Sequence, residues 1–168
     1  METQDTQFRP GKPDFRPLYL KHRQILEDNN VDVSQLIQIR RKIHSWPEGG
    51  FQEWRTQETI KDVLLGFGFD EQELVVCAKT GYVVDIRGTG DEDAADKDAD
   101  TVHSIALRCD LDGLPIPENN QDLEYKTQTK FAHMCGHDGH IATLLAAAKA
   151  LRENRHKIPK GKFVRLLF

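Results

Sequence analysis

The run His133-Met134-Cys135-Gly136-His137-Asp138-Gly139-His140 passes without a break into Ile141-Ala142-Thr143-Leu144-Leu145-Ala146-Ala147-Ala148. This junction constrains the fold more than any other stretch. The Ala/Leu segment has strong helix propensity and calls for a buried position. The polar run before it holds three histidines, one cysteine and one aspartate. These residue types bind a transition metal or orient a residue that does. Two glycines let the backbone turn tightly beside them. The cluster therefore sits at the mouth of a greasy helix, which is how a rigid metal site is commonly mounted.

The rest of the chain supplies elements to pack against that helix. Residues 1–31 read as a mobile arm with a short helix from Leu18 to Asp28, and residues 32–168 as one domain. Val33, Leu36, Ile37, Ile39 and Ile43 recur at helical spacing, with Ser34 or Asp32 as cap and Pro47 beyond the end. Arg40, Arg41 and Lys42 lie near the C-terminus of that helix, where cations complement its dipole. A second helix runs from about Gln52 to Leu65, with Thr56, Ile60, Val63, Leu64 and Phe67 as its buried stripe. Runs 73–78 and 81–87 predict a hairpin. Residues 103–109 predict a buried strand, the polar cluster opens a helix from His137 to about Asn154, and Lys162 to Phe168 begins a further strand. This order predicts an α/β fold, a three-layer type of sheet covered by helices.

Composition narrows the function classes. A net charge of −4 without a basic block argues against a nucleic-acid partner. No apolar run approaches the ~20 residues of a membrane span, and residues 1–15 lack the apolar core of a secretory signal. Cytoplasmic location is the default expectation. The three cysteines, Cys77, Cys109 and Cys135, are odd in number and include no CxxC, so a disulfide framework is not expected. Cys77 and Cys109 read as small buried residues in strands. Residues 91–100 carry six acidic residues against one lysine and read as a solvated loop.

Within the cluster, Cys135 and His137 are the leading pair of metal ligands, converging on one centre or on two adjacent ones with the thiolate bridging. His140 follows His137 by one helical turn and either faces the same site or caps and supports it. Asp138 in the first helical turn favours the dipole without being a ligand. Asp110 and Asp112 flank the end of the predicted strand, where ligands bind in open α/β sheets. One of the two is expected to orient a ligating histidine. Such a site points to hydrolysis, in which a metal activates water and a carboxylate takes its proton. No carboxylate in the chain is evidently placed as that base.

Four blocks resemble the amidohydrolase branch of the M20 peptidase family. They are Arg40-Arg41-Lys42-Ile43-His44-Ser45-Trp46-Pro47-Glu48 with Thr56 after it, the segment from Ala106 to Pro115, the His133–His140 run, and Phe163 to Phe168. Ala132 and Met134 depart mildly from the family pattern. The resemblance implies the N-terminal portion of a zinc-peptidase-like catalytic domain with a two-metal site. Zinc or manganese is the expected metal, with cobalt or nickel also suited. Cys135 and His137 are the implied metal ligands and Asp110 a carboxylate behind the site, while Asp138 and His140 are placed in the supporting shell by the reading of the residues themselves. Related peptidases have a metal-binding histidine where this chain has Arg108, a difference that agrees with the amidohydrolase branch. The family's general-base glutamate, its remaining ligands and a lid domain that mediates homodimerisation are expected beyond Phe168.

Two readings follow. In the first, the chain is part of a hydrolase that cleaves the amide bond of small N-acyl amino acids or amino-acid conjugates. In the second, it is a non-catalytic metal-binding or assembly subunit. A purely structural zinc module ranks last, because it needs more ligands. A strand ending at Leu166-Leu167-Phe168 is expected to leave an apolar edge. Without the base, the 168-residue chain is expected to be inactive alone, since a lost base typically costs a factor of about 10² to 10⁴. Chelator-sensitive turnover of an N-acyl amino acid by the purified chain would overturn that expectation.

Overall fold

The computed structural model describes residues 16–91, 104–120 and 122–168. Within them the order is α1 (Arg16–Asp28), α2 (Val33–His44), α3 (Trp54–Gly66), β1 (Val75–Cys77), β2 (Gly81–Arg87), β3 (Ile105–Arg108), α4 (His137–Glu153) and β4 (Phe163–Leu167). The acidic run falls outside the described residues apart from Asp91. None of the described helices is long and apolar enough to cross a membrane.

The four strands form one sheet in the order β1-β2-β4-β3. β1 and β2 make the expected antiparallel hairpin, with Val75 opposite Val83. β4 runs antiparallel to β2 and parallel to β3. The register pairs Val84 with Leu166 and Ile86 with Val164, so these side chains share one face. Val84, Ile86 and Leu166 are fully buried. The other face carries Asp85 opposite Arg165, closed by a two-pronged ion pair of 2.7 and 2.9 Å.

The helices cover the apolar face because their stripes match it. Leu36, Ile39 and Ile43 from α2, Ile60 and Leu64 from α3, and Ile141, Leu144 and Leu145 from α4 join Val84, Ile86 and Leu166 in one core. Asp32 caps α2 by accepting the Ser34 and Gln35 amides, satisfying donors that have no partner inside the helix. Glu48 does the same for α3 from outside it, accepting the Arg55 and Thr56 amides at 3.0 and 2.9 Å. At its far end α4 is tied to the loop after α1 by an Asn154–Asn29 side-chain bond of 2.8 Å.

Three expectations change. β4 is an interior strand, with Leu166 buried and Phe168 beyond it bonded to Tyr82 through both backbone groups. No apolar edge therefore lies at 166–168. Among the described residues the edges are β1 and β3, since each pairs there with one neighbour only. Consequently residues 105–108 are exposed rather than buried, and β3 contributes no side chain to the core. Cys77 is likewise exposed on β1, whereas Cys109, just past β3, is buried. Burial, with the Asp110 charge adding to it, pushes the Cys109 thiol up to about 12.

Leu145 lies at the centre of α4 with no exposed surface. Leu145→Ala is expected to cost about 2–5 kcal/mol through lost contacts and the cavity left behind. Leu20→Ala on exposed α1 should change stability by less than about 0.5 kcal/mol. Urea denaturation midpoints of the two variants check the contrast.

Candidate metal centre

The C-terminal end of β3 and the N-terminus of α4 are brought together by the loop that follows the strand and the one that precedes the helix. Past β3 the chain is clamped from two sides. The Gly113 amide donates to the Glu48 carbonyl at 2.7 Å, and Leu114 and Ala132 exchange both backbone bonds at 2.9 Å. Gly113 has no room for a side chain, because a Cβ there would stand 2.8 Å from Pro47 Cβ. At the other side Gly136 takes a left-handed φ of 78° immediately before α4, a conformation that glycine adopts without steric cost. This kink turns the chain so that His137, Asp138 and His140 enter the first turn of the helix.

Asp110, His137 and His140 offer ligand atoms that lie within 4.8 Å of one another. His137 and His140 stack with ring centroids 5.6 Å apart. His137 Nε2 is 4.0 Å from Asp110 Oδ2, and Arg108 pairs with the other Asp110 oxygen. His137 Nδ1 lies 2.9 Å from the Asp112 carbonyl and 3.0 Å from Asp112 Oδ1. Of the two aspartates expected to orient a histidine, it is Asp112 that bonds the ring. Asp110 faces the opposite nitrogen. Cys135 is exposed in the turn before Gly136 and stands outside this group.

Asp138 points the other way. It has no exposed surface, and its Oδ2 is held by His44 Nδ1 at 2.7 Å and Arg40 Nε at 2.8 Å. Its Oδ1 accepts the Gly139 amide at 2.9 Å. His44 Nε2 reaches Glu118 Oε1 at 3.1 Å, and Glu118 also accepts the Thr127 amide at 2.6 Å. Tyr125 lies edge-on to His44 and under the guanidinium of Arg41. Arg40 is therefore engaged with a buried carboxylate on α4 rather than with the dipole of its own helix. The 118–129 loop is fastened to α2 through the same histidine. The signal for this network was the spacing of Arg40 and His44, four residues apart and so on one helical face. Neither the buried Asp138 nor the distant Glu118 could be assigned to that face from spacing alone.

These contacts set the charges. The Asp138 bond raises the pKa of His44 despite burial, with Glu118 adding to it. Burial would lift the Asp138 and Glu118 carboxyls. The bonds from His44 and Arg40 outweigh it for Asp138, as do the Thr127 amide and His44 for Glu118, and both end below the ordinary carboxylate value. His133 is the opposite case. It is buried, and neither ring nitrogen has a hydrogen-bond partner. Burial, reinforced by the charges of His44 and His137, pushes it down to about 4.

A cleft of about 500 Å³ opens beside this cluster, with Phe51, Glu53, Tyr82, Arg108, Asp110 and Asp112 among its walls. The carboxylate of Asp110 lies just past β3 and the two imidazoles lie in the first turn of α4, on one side of a small α/β unit. The comparisons give the relationship. Residues 106–168 match peptidase family M20/M25/M40, and the chain is related to the M20 peptidases along most of its length. It is 41% identical over 134 residues to Thermostable carboxypeptidase 1 of Saccharolobus solfataricus, covering 79% of this chain and 30% of that protein. It is 41% identical over 147 residues to the N-acetyl-L-cysteine deacetylase of Bacillus subtilis, covering 84% of this chain and 32% of that protein. The fold matches a dinuclear metal-binding peptidase of the M20 family from Bacillus subtilis with a TM-score of 0.66 and 30% identity, over 80% of this chain and 34% of that one. The chain thus spans about a third of the length of these relatives, and its fold matches that portion of the solved structure.

His44 and His133, with ring centroids 6.4 Å apart, make opposite contributions to stability as pH changes. The raised pKa of His44 means its contribution is complete below the ordinary histidine value near 6.5 and fades as pH rises through the raised value. The depressed pKa of His133 means its contribution is present above 6.5 and is lost as pH falls towards about 4. With chelator present, His44→Gln should flatten the alkaline arm of the stability profile, where pH rises above about 6.5. His133→Gln should flatten the acid arm between about pH 6.5 and 4. Denaturation midpoints against pH check both arms.

Proposed function

We propose that these residues form one side of a divalent metal centre in a hydrolase that cleaves the amide bond of N-acyl amino acids or amino-acid conjugates. The observation that carries the reading is the orientation of His137. Its Nδ1 is taken up by Asp112, so its Nε2 faces Asp110, and a His140 nitrogen belongs to the same group. A neutral imidazole nitrogen, a carboxylate oxygen and a second imidazole are donors that suit zinc, manganese, cobalt or nickel. The resemblance to the family adds Cys135 as a ligand beside His137, and its place in the turn before Gly136 keeps the thiol accessible. The name of the deacetylase relative supports an N-acyl amino acid as substrate, and the dinuclear relative supports two ions per site.

Bound metal would supply Lewis-acid polarisation of the scissile carbonyl and a nucleophilic water at neutral pH. The chain's own residues do the rest. Asp112 holds the His137 ring in place. Asp110 and His140 contribute donors on the exposed side, and Arg108 neutralises the second Asp110 oxygen. Behind them the His44–Asp138–Arg40 network holds α4 rigidly, which fixes the ligand positions. The adjoining cleft offers room for a small amide.

The test combines metal binding with turnover. The purified chain should bind cobalt(II) or zinc, and His137→Ala should weaken that binding by more than about tenfold. Placed in a protein of its relatives' length, the chain should hydrolyse N-acetyl amino acids, and a chelator should abolish the activity. Metal binding without turnover in the long form would support the second reading, a metal-binding or assembly subunit. Absence of metal binding would overturn both.

A further inference from the structure

We infer that Asp112 is the positioning residue that sets the tautomer of His137, an assignment that rests on reading His137 as a metal ligand. A neutral imidazole carries one N–H. At Nδ1 the ring meets two oxygens of the same residue, the Asp112 carbonyl at 2.9 Å and its carboxylate Oδ1 at 3.0 Å. Neither oxygen can donate, so the proton belongs on Nδ1. The other tautomer would aim the Nδ1 lone pair at two further lone pairs. Nε2 is left as the free donor, and it is this nitrogen that looks towards Asp110 Oδ2 at 4.0 Å.

Asp112 can do this because its backbone is held independently of the ring. The next residue donates to the Glu48 carbonyl, and the one after is paired in both directions with Ala132. Gly113 admits no side chain between Pro47 and Phe131. The carbonyl that meets His137 therefore sits on a segment with little freedom to rotate away. The two aspartates of Asp110-Leu111-Asp112 thus divide the work, one to each nitrogen of the same ring. Asp110 is paired with Arg108, which keeps it from competing for Nδ1. The Asp112 carboxylate adds negative charge on the protonated side, and a carboxylate there makes the opposite nitrogen a stronger donor.

The experiment reads tautomer and metal affinity separately in the 168-residue chain. Long-range proton–nitrogen spectra of the metal-free protein should show His137 as the Nδ1–H form. In Asp112→Ala only the carbonyl remains, and the Nε2–H form should become detectable. Cobalt(II) titration with zinc competition should show affinity reduced by about 10- to 100-fold. Asp112→Asn keeps a side-chain acceptor without the charge. It should retain the Nδ1–H form and lose affinity only towards the lower end of that range, which also covers the case in which the alanine variant fails to fold. Wild-type affinity together with an unchanged tautomer in Asp112→Ala would overturn the proposal. If His137→Ala leaves metal affinity intact, the ligand reading fails, while the tautomer spectra still decide what Asp112 does.

Discussion

The arrangement depends on one buried charge. Asp138 has no exposed surface, and an unpaired carboxylate in such a place would cost several kcal/mol. His44 and Arg40, from two successive turns of α2, converge on one of its oxygens, and an amide of its own helix takes the other. Satisfying that charge fixes the rotation of α4 relative to α2. Successive residues on a helix are separated by about 100°, so holding Asp138 inward determines where His137 and His140 project. The polar face of α4 is therefore aimed by a contact that contains none of the candidate ligands.

The same interaction extends outwards. His44 passes from Asp138 to Glu118, and Glu118 holds the Thr127 amide. Thr127 and Thr129 hydroxyls in turn donate to the Phe131 and Pro47 carbonyls. Residues 122–131, which form no helix or strand, are tied down by side chains rather than by a ladder of backbone bonds. They lead directly into Ala132, the residue paired with Leu114 across the clamped loop. Core packing, the buried ion cluster and the loop after β3 are consecutive parts of one mechanical support for the site.

Most of the fold was legible because its periodicities are strong. The observed helices begin and end within about two residues of the positions expected from apolar spacing and caps, within the ordinary uncertainty of helix ends. The hairpin followed from two short strands and a tight connection. What spacing could not show was strand order. Residues 105–107 and 166–168 look equally apolar in sequence, yet β4 inserts between β2 and β3 and leaves β3 at the edge. An apolar triplet carries no information about which neighbours it will have.

The site divides in the same way. The residue types alone give residues 133–140 a chemistry suited to a transition metal and lead one to expect a carboxylate from the end of β3 to orient a histidine among them. Those are statements about chemistry, and chemistry is local. Only the tertiary structure decided that Asp112 rather than Asp110 meets Nδ1 of His137, that Asp138 turns inward to His44 and Arg40, and that His133 is buried without a partner. Each of those outcomes depends on the direction of a side chain. Direction is set by helix phase and by how two distant segments pack, which no stretch of eight residues contains.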